Sequence, residues 1–304
     1  MPPSRSSLFV ALIIISFGLA SSPADAYVRT TSEFTGVPLS WRGTSCIFTR
    51  INRVGSADVS DGTDLAALTR ATENWHLATQ SAGNCSYMRF VVEPAAANVA
   101  MSYTPDGKNE TAVFWIEKDW NTDPDHSPSA AALTTVLYLN IPNDHRDGEI
   151  VDADIEINGD NFKYATTKKN GALDIENVLT HELGHVLGLE HPCYLEPSAP
   201  SPHAKDHLDQ AIPACRQTGD RSILDATMFP STSFGDIERR TPIADDVAGI
   251  CAIYPIAKDP GQCGPKEGCC AIAGDGASRE TSPLPILLVA VFALLWRLRS
   301  PRPR

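Results

Sequence analysis

The stretch His181–His191, HELGHVLGLEH, constrains this chain more than any other. His181 and His185 stand four residues apart, so on a helix both imidazoles project from one face toward a common point. Glu182 lies beside them and can reach a water held at that point without being a ligand itself. Gly188 can adopt a positive φ at no steric cost, so the helix can stop there and the chain turn back. His191 then returns as a third imidazole. Three nitrogens leave the fourth position of a tetrahedral zinc site open for water or substrate, which separates a reactive site from a closed structural one.

A bare HExxH arises by chance in amphipathic surface helices, whereas HExxHxxGxxH is much harder to reach by accident. The longer pattern resembles that of the metzincin superfamily of zinc endopeptidases at every fixed position. Metzincins also carry a methionine turn beneath the metal, and Ala226-Thr227-Met228-Phe229-Pro230 resembles its matrixin version. Taken alone, Met228 would read as an ordinary core methionine. Asp245 to Tyr254 resembles the last helix of the matrixin catalytic domain, with paired aspartates suited to a helix N-terminus and apolar residues at helical spacing. Asp152 to Asn158 resembles the acidic strand segment of secreted bacterial matrixin-like proteins. The resemblance runs from about Val37 to Pro255.

The resemblance implies an α+β fold: a twisted mixed sheet with an active-site helix and a C-terminal helix. It implies a catalytic zinc held by His181, His185 and His191, with Glu182 as catalytic base and Met228 as a structural support. Protein or peptide substrates follow, lying extended along an edge strand near Leu133 to Leu139. The chain departs from the pattern between Pro192 and Asp225, a long Pro- and Ser-rich insertion before the methionine turn. His203 and His207 stand four apart within it. They suggest either a second zinc or, more simply, solvent-exposed loop histidines. Phe229 occupies the place where an astacin-type tyrosine ligand would follow the methionine. Few residues separate Tyr27 from the domain, so no cysteine-switch propeptide fits there. Cys263-Gly264-Pro265 echoes such a switch, but it follows the domain and reads as structural.

The two ends suggest export. Arg5, the apolar run from Leu8 to Ile15, and Ala24-Asp25-Ala26 have the order of a cleaved secretory signal. An uncleaved anchor is the alternative, but the run is short for a span. Eight cysteines in an exported chain point to disulfides. Cys193 with Cys215 would bracket the insertion, and Cys46 with Cys85 would tie the first strand to the first helix. After the domain come a Cys/Gly/Pro-rich linker, the apolar run Leu284 to Trp296, read as a short helix, and four arginines. Together these resemble the C-terminal sorting tails of myxobacterial surface proteins, cut near Cys269 or Cys270. A plain single-pass anchor is the alternative, with the arginines on the cytoplasmic side. The expected order is signal peptide 1–26, zinc-protease domain 27–257 with insertion 192–225, linker 258–282 and tail 283–304. The net charge of −12 argues against nucleic acid as a partner. A monomer is expected.

Periodicity places the remaining elements. Strands are expected at Cys46–Ile51, Met88–Val92, Ala112–Ile116, Leu133–Asn140 and Ile150–Asn158. A helix is expected over Asp64–Gln80, capped by Asp61 or Thr63. The zinc helix should begin near Leu173 to Ile175 with Asp174 as its cap. Asp152, Asp154 and Glu156 share one strand face, which suits either a calcium site, since that ion prefers oxygen ligands, or an edge strand kept soluble by charge. Two readings of function stand together: an exported zinc endopeptidase, and a surface binding or adhesion protein on the same scaffold with little catalysis. A different zinc hydrolase, such as a deformylase or amidase, is disfavoured by the third histidine and the methionine turn.

Overall fold

The computed structural model describes residues 27–59, 61–99, 101–105, 109–197, 204–263 and 286–290. The expected signal peptide, the linker beyond residue 263 with Cys269 and Cys270, the arginine-rich end and His203 lie outside the described residues.

The elements follow in the order β1 (Val28–Arg29), β2 (Ser40–Trp41), β3 (Cys46–Ile51), α1 (Thr63–Ser81), β4 (Arg89–Val92), β5 (Thr111–Ile116), β6 (Ala132–Leu139) and β7 (Glu149–Asn158). Then come β8 (Tyr164–Ala165), β9 (Leu173–Asp174), α2 (Ile175–Val186), β10 (Leu189–Glu190), α3 (Arg221–Leu224), α4 (Ala244–Ile253) and β11 (Ile286–Ala290). The main sheet runs β11-β6-β7-β5-β3-β4, with β2 also paired to β7. β6 is antiparallel to β7, whereas β5, β3 and β4 continue in parallel. This is the expected α+β mixed sheet. Its parallel part requires crossovers, and α1 supplies the one between β3 and β4.

α1 and α2 lie on one face of the sheet. The apolar stripe of α1 is buried at Ala67, Leu68, Ala71 and Trp75. It centres one residue off the expected line, leaving Leu65 and Ala78 at its margin. Trp75 Nε1 donates to Thr180 O at 2.9 Å, locking α1 to α2. Ile175, Leu179 and Leu183 of α2 are fully buried, each stabilising by about 1.5–3 kcal/mol. The start of α2 is fixed as expected. Asp174 accepts from Asn177 N at 2.9 Å and is held in turn by the Arg240 guanidinium. α1 differs: its N-cap is Gly62 at φ 78, and Asp61 Oδ1 accepts from Thr63 N and Oγ1 outside the helix.

Three expectations are corrected. Cys46 pairs with Cys263 and Cys85 with Cys251, not Cys46 with Cys85. β3 and the end of α1 each find a partner arriving from the far C-terminal part of the domain, which sequence proximity hides. Cys193–Cys215 forms as expected. β7 is not an edge strand, because it lies between β6 and β5. Its acids are therefore buried, with Asp152 and Asp154 each 1% exposed. Nor is β6 a free edge along its length. β11 pairs with Thr135–Leu139, where a short helix was expected within Leu284 to Trp296. An extended segment satisfies the backbone groups that β6 would otherwise leave open, and it leaves Ala132–Thr134 outside that pairing.

Candidate metal centre and cleft

α2 carries His181 and His185 on successive turns toward the cleft. After Leu187 the chain reverses at Gly188, φ 90, where a Cβ would sit 3.1 Å from Leu39 O. The short strand β10 then returns His191. Among the described residues, these three histidines are the one group of His, Cys, Asp or Glu whose ligand atoms all lie within 4.8 Å of one another. His191 Nε2 is 3.1 Å from Nε2 of both His181 and His185.

The remaining ring nitrogens explain what those contacts are. His181 Nδ1 donates to Thr227 O at 2.8 Å, and His185 Nδ1 donates to Leu189 O at 2.9 Å. Carbonyls can only accept, so both Nδ1 atoms carry the proton when the rings are neutral, and both Nε2 atoms present lone pairs. Burial keeps the rings neutral: it pulls His181 down to about 4 and His185 to about 3, and His191 is pulled well below its ordinary value. His191 has at most one Nε2 proton for two facing lone pairs. A zinc ion bonded to nitrogens at ~2.0–2.1 Å separates them by about 3.3 Å in a tetrahedron, close to the spacing seen. The donor set therefore fits zinc.

Glu182 is 6% exposed and projects beside the trio. Its Oε2 accepts from Thr134 Oγ1 at 2.7 Å. Burial pushes its carboxyl up to about 7, and the Thr134 hydroxyl opposes that shift. Glu190 Oε1 accepts from His191 N at 2.9 Å and fixes the backbone of the third imidazole.

Met228 is 2% exposed and packs under α2 in the main core. Asp246 at the start of α4 holds the turn by accepting from Thr227 N at 2.8 Å and Met228 N at 3.3 Å. Arg239 holds its other side, donating to Leu224 O and Ala226 O while paired with Asp236. The paired aspartates of α4 thus do more than favour a helix start. Thr134 escaped sequence reasoning. A signal existed, since it shares its strand face with the core residues Ala132, Val136 and Tyr138 and is the polar member of that row.

The acids of β7 do not join the site or gather into one of their own. Asp154 accepts from Ala112 N, Glu156 faces His126, and both oxygens of Asp152 are without a hydrogen-bond partner. The calcium expectation gains no support. His207 is exposed in a turn and stacks on Tyr27 at 4.9 Å between ring centroids, so it reads as a loop histidine.

A cleft of ≈ 520 Å³ opens beside Glu182. Leu133, Thr134 and Val178 form one wall, and Phe229 to Thr232 form another. The insertion supplies a third through Tyr194, Leu195, Ala204 and Ile212. The Cys193–Cys215 disulfide and the packing of Val28 against Ala204 and Ile212 hold that wall in place.

Residues 89–197 match the family model for matrixin, the M10 peptidases. That span includes Glu182 and all three histidines. The match over that span supports a metzincin-like zinc-metalloprotease domain, and the fold is matrixin-like α+β. No curated protein matches the chain. Among solved structures it is similar to high choriolytic enzyme 1, a hatching-enzyme zinc protease of the medaka fish Oryzias latipes, at 14% identity and a TM-score of 0.31, over 71% of this chain and 94% of that one. Myroilysin is similar at 14% identity and a TM-score of 0.31, over 71% and 82%. At such scores neither likeness bears on function.

Proposed function

We propose that this protein is an exported zinc-dependent endopeptidase in which Glu182 moves the proton of hydrolysis. The observation that carries the reading is the convergence of three neutral imidazole Nε2 atoms beside a buried carboxylate at the wall of a cleft. His181, His185 and His191 would hold the metal. Zinc, when bound, supplies a Lewis acid that polarises a peptide carbonyl and acidifies water.

The chain's own residues do the rest. Thr134 holds the Glu182 carboxylate in one orientation. Glu182 accepts the proton of the attacking water and delivers it to the departing amine. Glu182 itself is buried, so its charge interactions are stronger there than at the surface. Ala132–Thr134 of β6, outside the pairing with β11, is the edge offered to an extended peptide.

Export, cleavage of residues 1–26 and attachment at the cell envelope through the C-terminal tail complete the reading. They rest on the signal-type N-terminus, three disulfides and the arginine-ended tail that resembles bacterial sorting segments. Integration of the chain from Tyr27 onward is consistent with that cleavage, since Tyr27 N donates to Asp245 Oδ1 at 3.1 Å and β1 pairs with β10.

Casein hydrolysis before and after chelation tests the proposal. Activity should disappear with the chelator and return on adding zinc. A zinc-loaded protein that cleaves neither casein nor any member of a peptide library would favour the binding reading instead.

A further inference from the structure

β11 lies along the strand on which an extended substrate would continue. It is the outermost strand of the main sheet and hydrogen-bonds to β6 alone. Its five residues pair in antiparallel register, from Ile286 opposite Leu139 to Ala290 opposite Thr135. The strand therefore runs toward the cleft, and its pairing stops where the cleft wall starts. Thr134, the next residue of β6, lines the cleft and donates to Glu182. β7 holds the other edge of β6 from Ala132 to Tyr138. The outer edge is left as one row of backbone donors and acceptors, and that row pairs with one strand at a time. A peptide bound at the three histidines that extends along β6 past Thr134 must claim Thr135–Leu139, which β11 already holds.

We infer that β11 is a built-in competitor of the substrate, a role that rests on the peptidase reading of the site. While β11 is paired, the protein cleaves peptides that need only Ala132–Thr134. Release of the tail opens the rest of β6 to longer ones. Among the described residues no disulfide holds β11 in place, since the last one closes at Cys263. Bound on one side only, the strand can be exchanged for another. Its sequence, ILLVA, has no proline or charge to block pairing. Tethering favours it, because a segment of the same chain competes at a local concentration on the order of millimolar. The cut expected near Cys269 or Cys270 falls between Cys263 and β11. It would remove the competitor and leave all three disulfides intact. Processing of the tail and full access to the cleft then become one event.

The test compares the zinc-loaded full chain with the same chain carrying Leu288→Pro and Val289→Pro. Neighbouring residues of a strand point their N–H groups to opposite edges, so one of two consecutive prolines removes a bond to β6. Two peptides share a scissile bond, one ending near it and one extended along the β6 side by a further strand length. On the longer peptide the variant should show a KM lower by about tenfold or more, with kcat little changed. On the shorter peptide the two proteins should match. Backbone hydrogen exchange at Thr135–Leu139 should be faster in the variant. A protease site placed in the linker and cut after folding releases the tail with β11 unaltered, and should lower KM in the same way. Equal exchange at Thr135–Leu139 in wild type and variant overturns the inference, since β11 would not hold the edge. A KM on the longer peptide that neither the prolines nor the cut lowers overturns it too, and leaves the peptidase reading intact. Proteins that cleave neither peptide nor casein, with or without the tail, remove both.

Discussion

Gly184 and Met228 are packed so closely that a methyl group on residue 184 would overlap the methionine sulfur. The same methyl would lie 3.1 Å from Met228 Cε and 3.2 Å from Trp75 Cζ2. Residue 184 is the variable position just before His185 in the zinc motif, and here the fold admits only glycine. The close approach seats the methionine turn directly beneath the helix that carries two histidines.

Gly184→Ala should therefore destabilise, although alanine is the better helix former. Overpacking a filled core costs about 1–3 kcal/mol, which should appear as a lowered melting temperature. Shortening the sulfur side chain makes room, so Met228→Ala should cost less in the Gly184→Ala background than in wild type. A double-mutant cycle by thermal unfolding measures that coupling. Strict additivity would mean that the two residues do not share the space.

Thr134→Val should lower kcat without removing zinc. The substitution keeps the side-chain shape and deletes the one hydroxyl that donates to Glu182. A hydrogen bond to a charged group contributes about 1.5–3 kcal/mol, or roughly 10- to 100-fold in rate. Peptide turnover beside metal analysis checks this. An unchanged rate would show that Glu182 needs no help in holding its orientation.

The zinc helix was legible almost residue by residue, because capping, periodicity and metal geometry act within a few turns of chain. Asp174 caps it, Gly188 ends it and His191 returns, as read. β3 and the Cys193–Cys215 pair were legible for the same local reason. Long-range partners were not. Cys46 and Cys85 lie close in sequence, yet their partners stand 217 and 166 residues away. The acids of β7 alternate as they would on an exposed strand. Only the sheet order, which periodicity does not encode, shows that they are buried. Asp246 read as a helix-start residue, and its hold on Thr227 and Met228 became visible only with the chain folded.

Asp246→Ala should weaken both stability and zinc binding. The carboxylate is 1% exposed and accepts two buried N–H groups of the methionine turn, and stranding each costs about 1–3 kcal/mol. Thr227 O would then be less well placed to receive His181 Nδ1. Urea unfolding and a zinc competition titration read the two effects. A loss of stability with zinc affinity unchanged would separate the turn from the metal.

Buried acids on β7 give stability a pH dependence of definite sign. Burial and the neighbouring charge hold Asp152 up to about 8, and burial holds Asp154 up to about 7. The unfolded chain releases both protons near pH ~4. Between those limits the folded protein binds protons that the unfolded chain has lost, so stability falls as pH rises through them. Asp152→Asn cannot titrate there. It should resemble wild type near pH 4 and exceed it near pH 8 in urea midpoint. A variant less stable than wild type at pH 8 would show that the ionised carboxylate is used.

The most direct measurement is the rate of peptide hydrolysis by Glu182→Ala at matched zinc content. Glu182 holds no metal in this account, so the variant should bind zinc as wild type does while hydrolysis falls by several orders of magnitude. Equal rates in the two zinc-loaded proteins would contradict the assignment of Glu182 as the group that moves the proton.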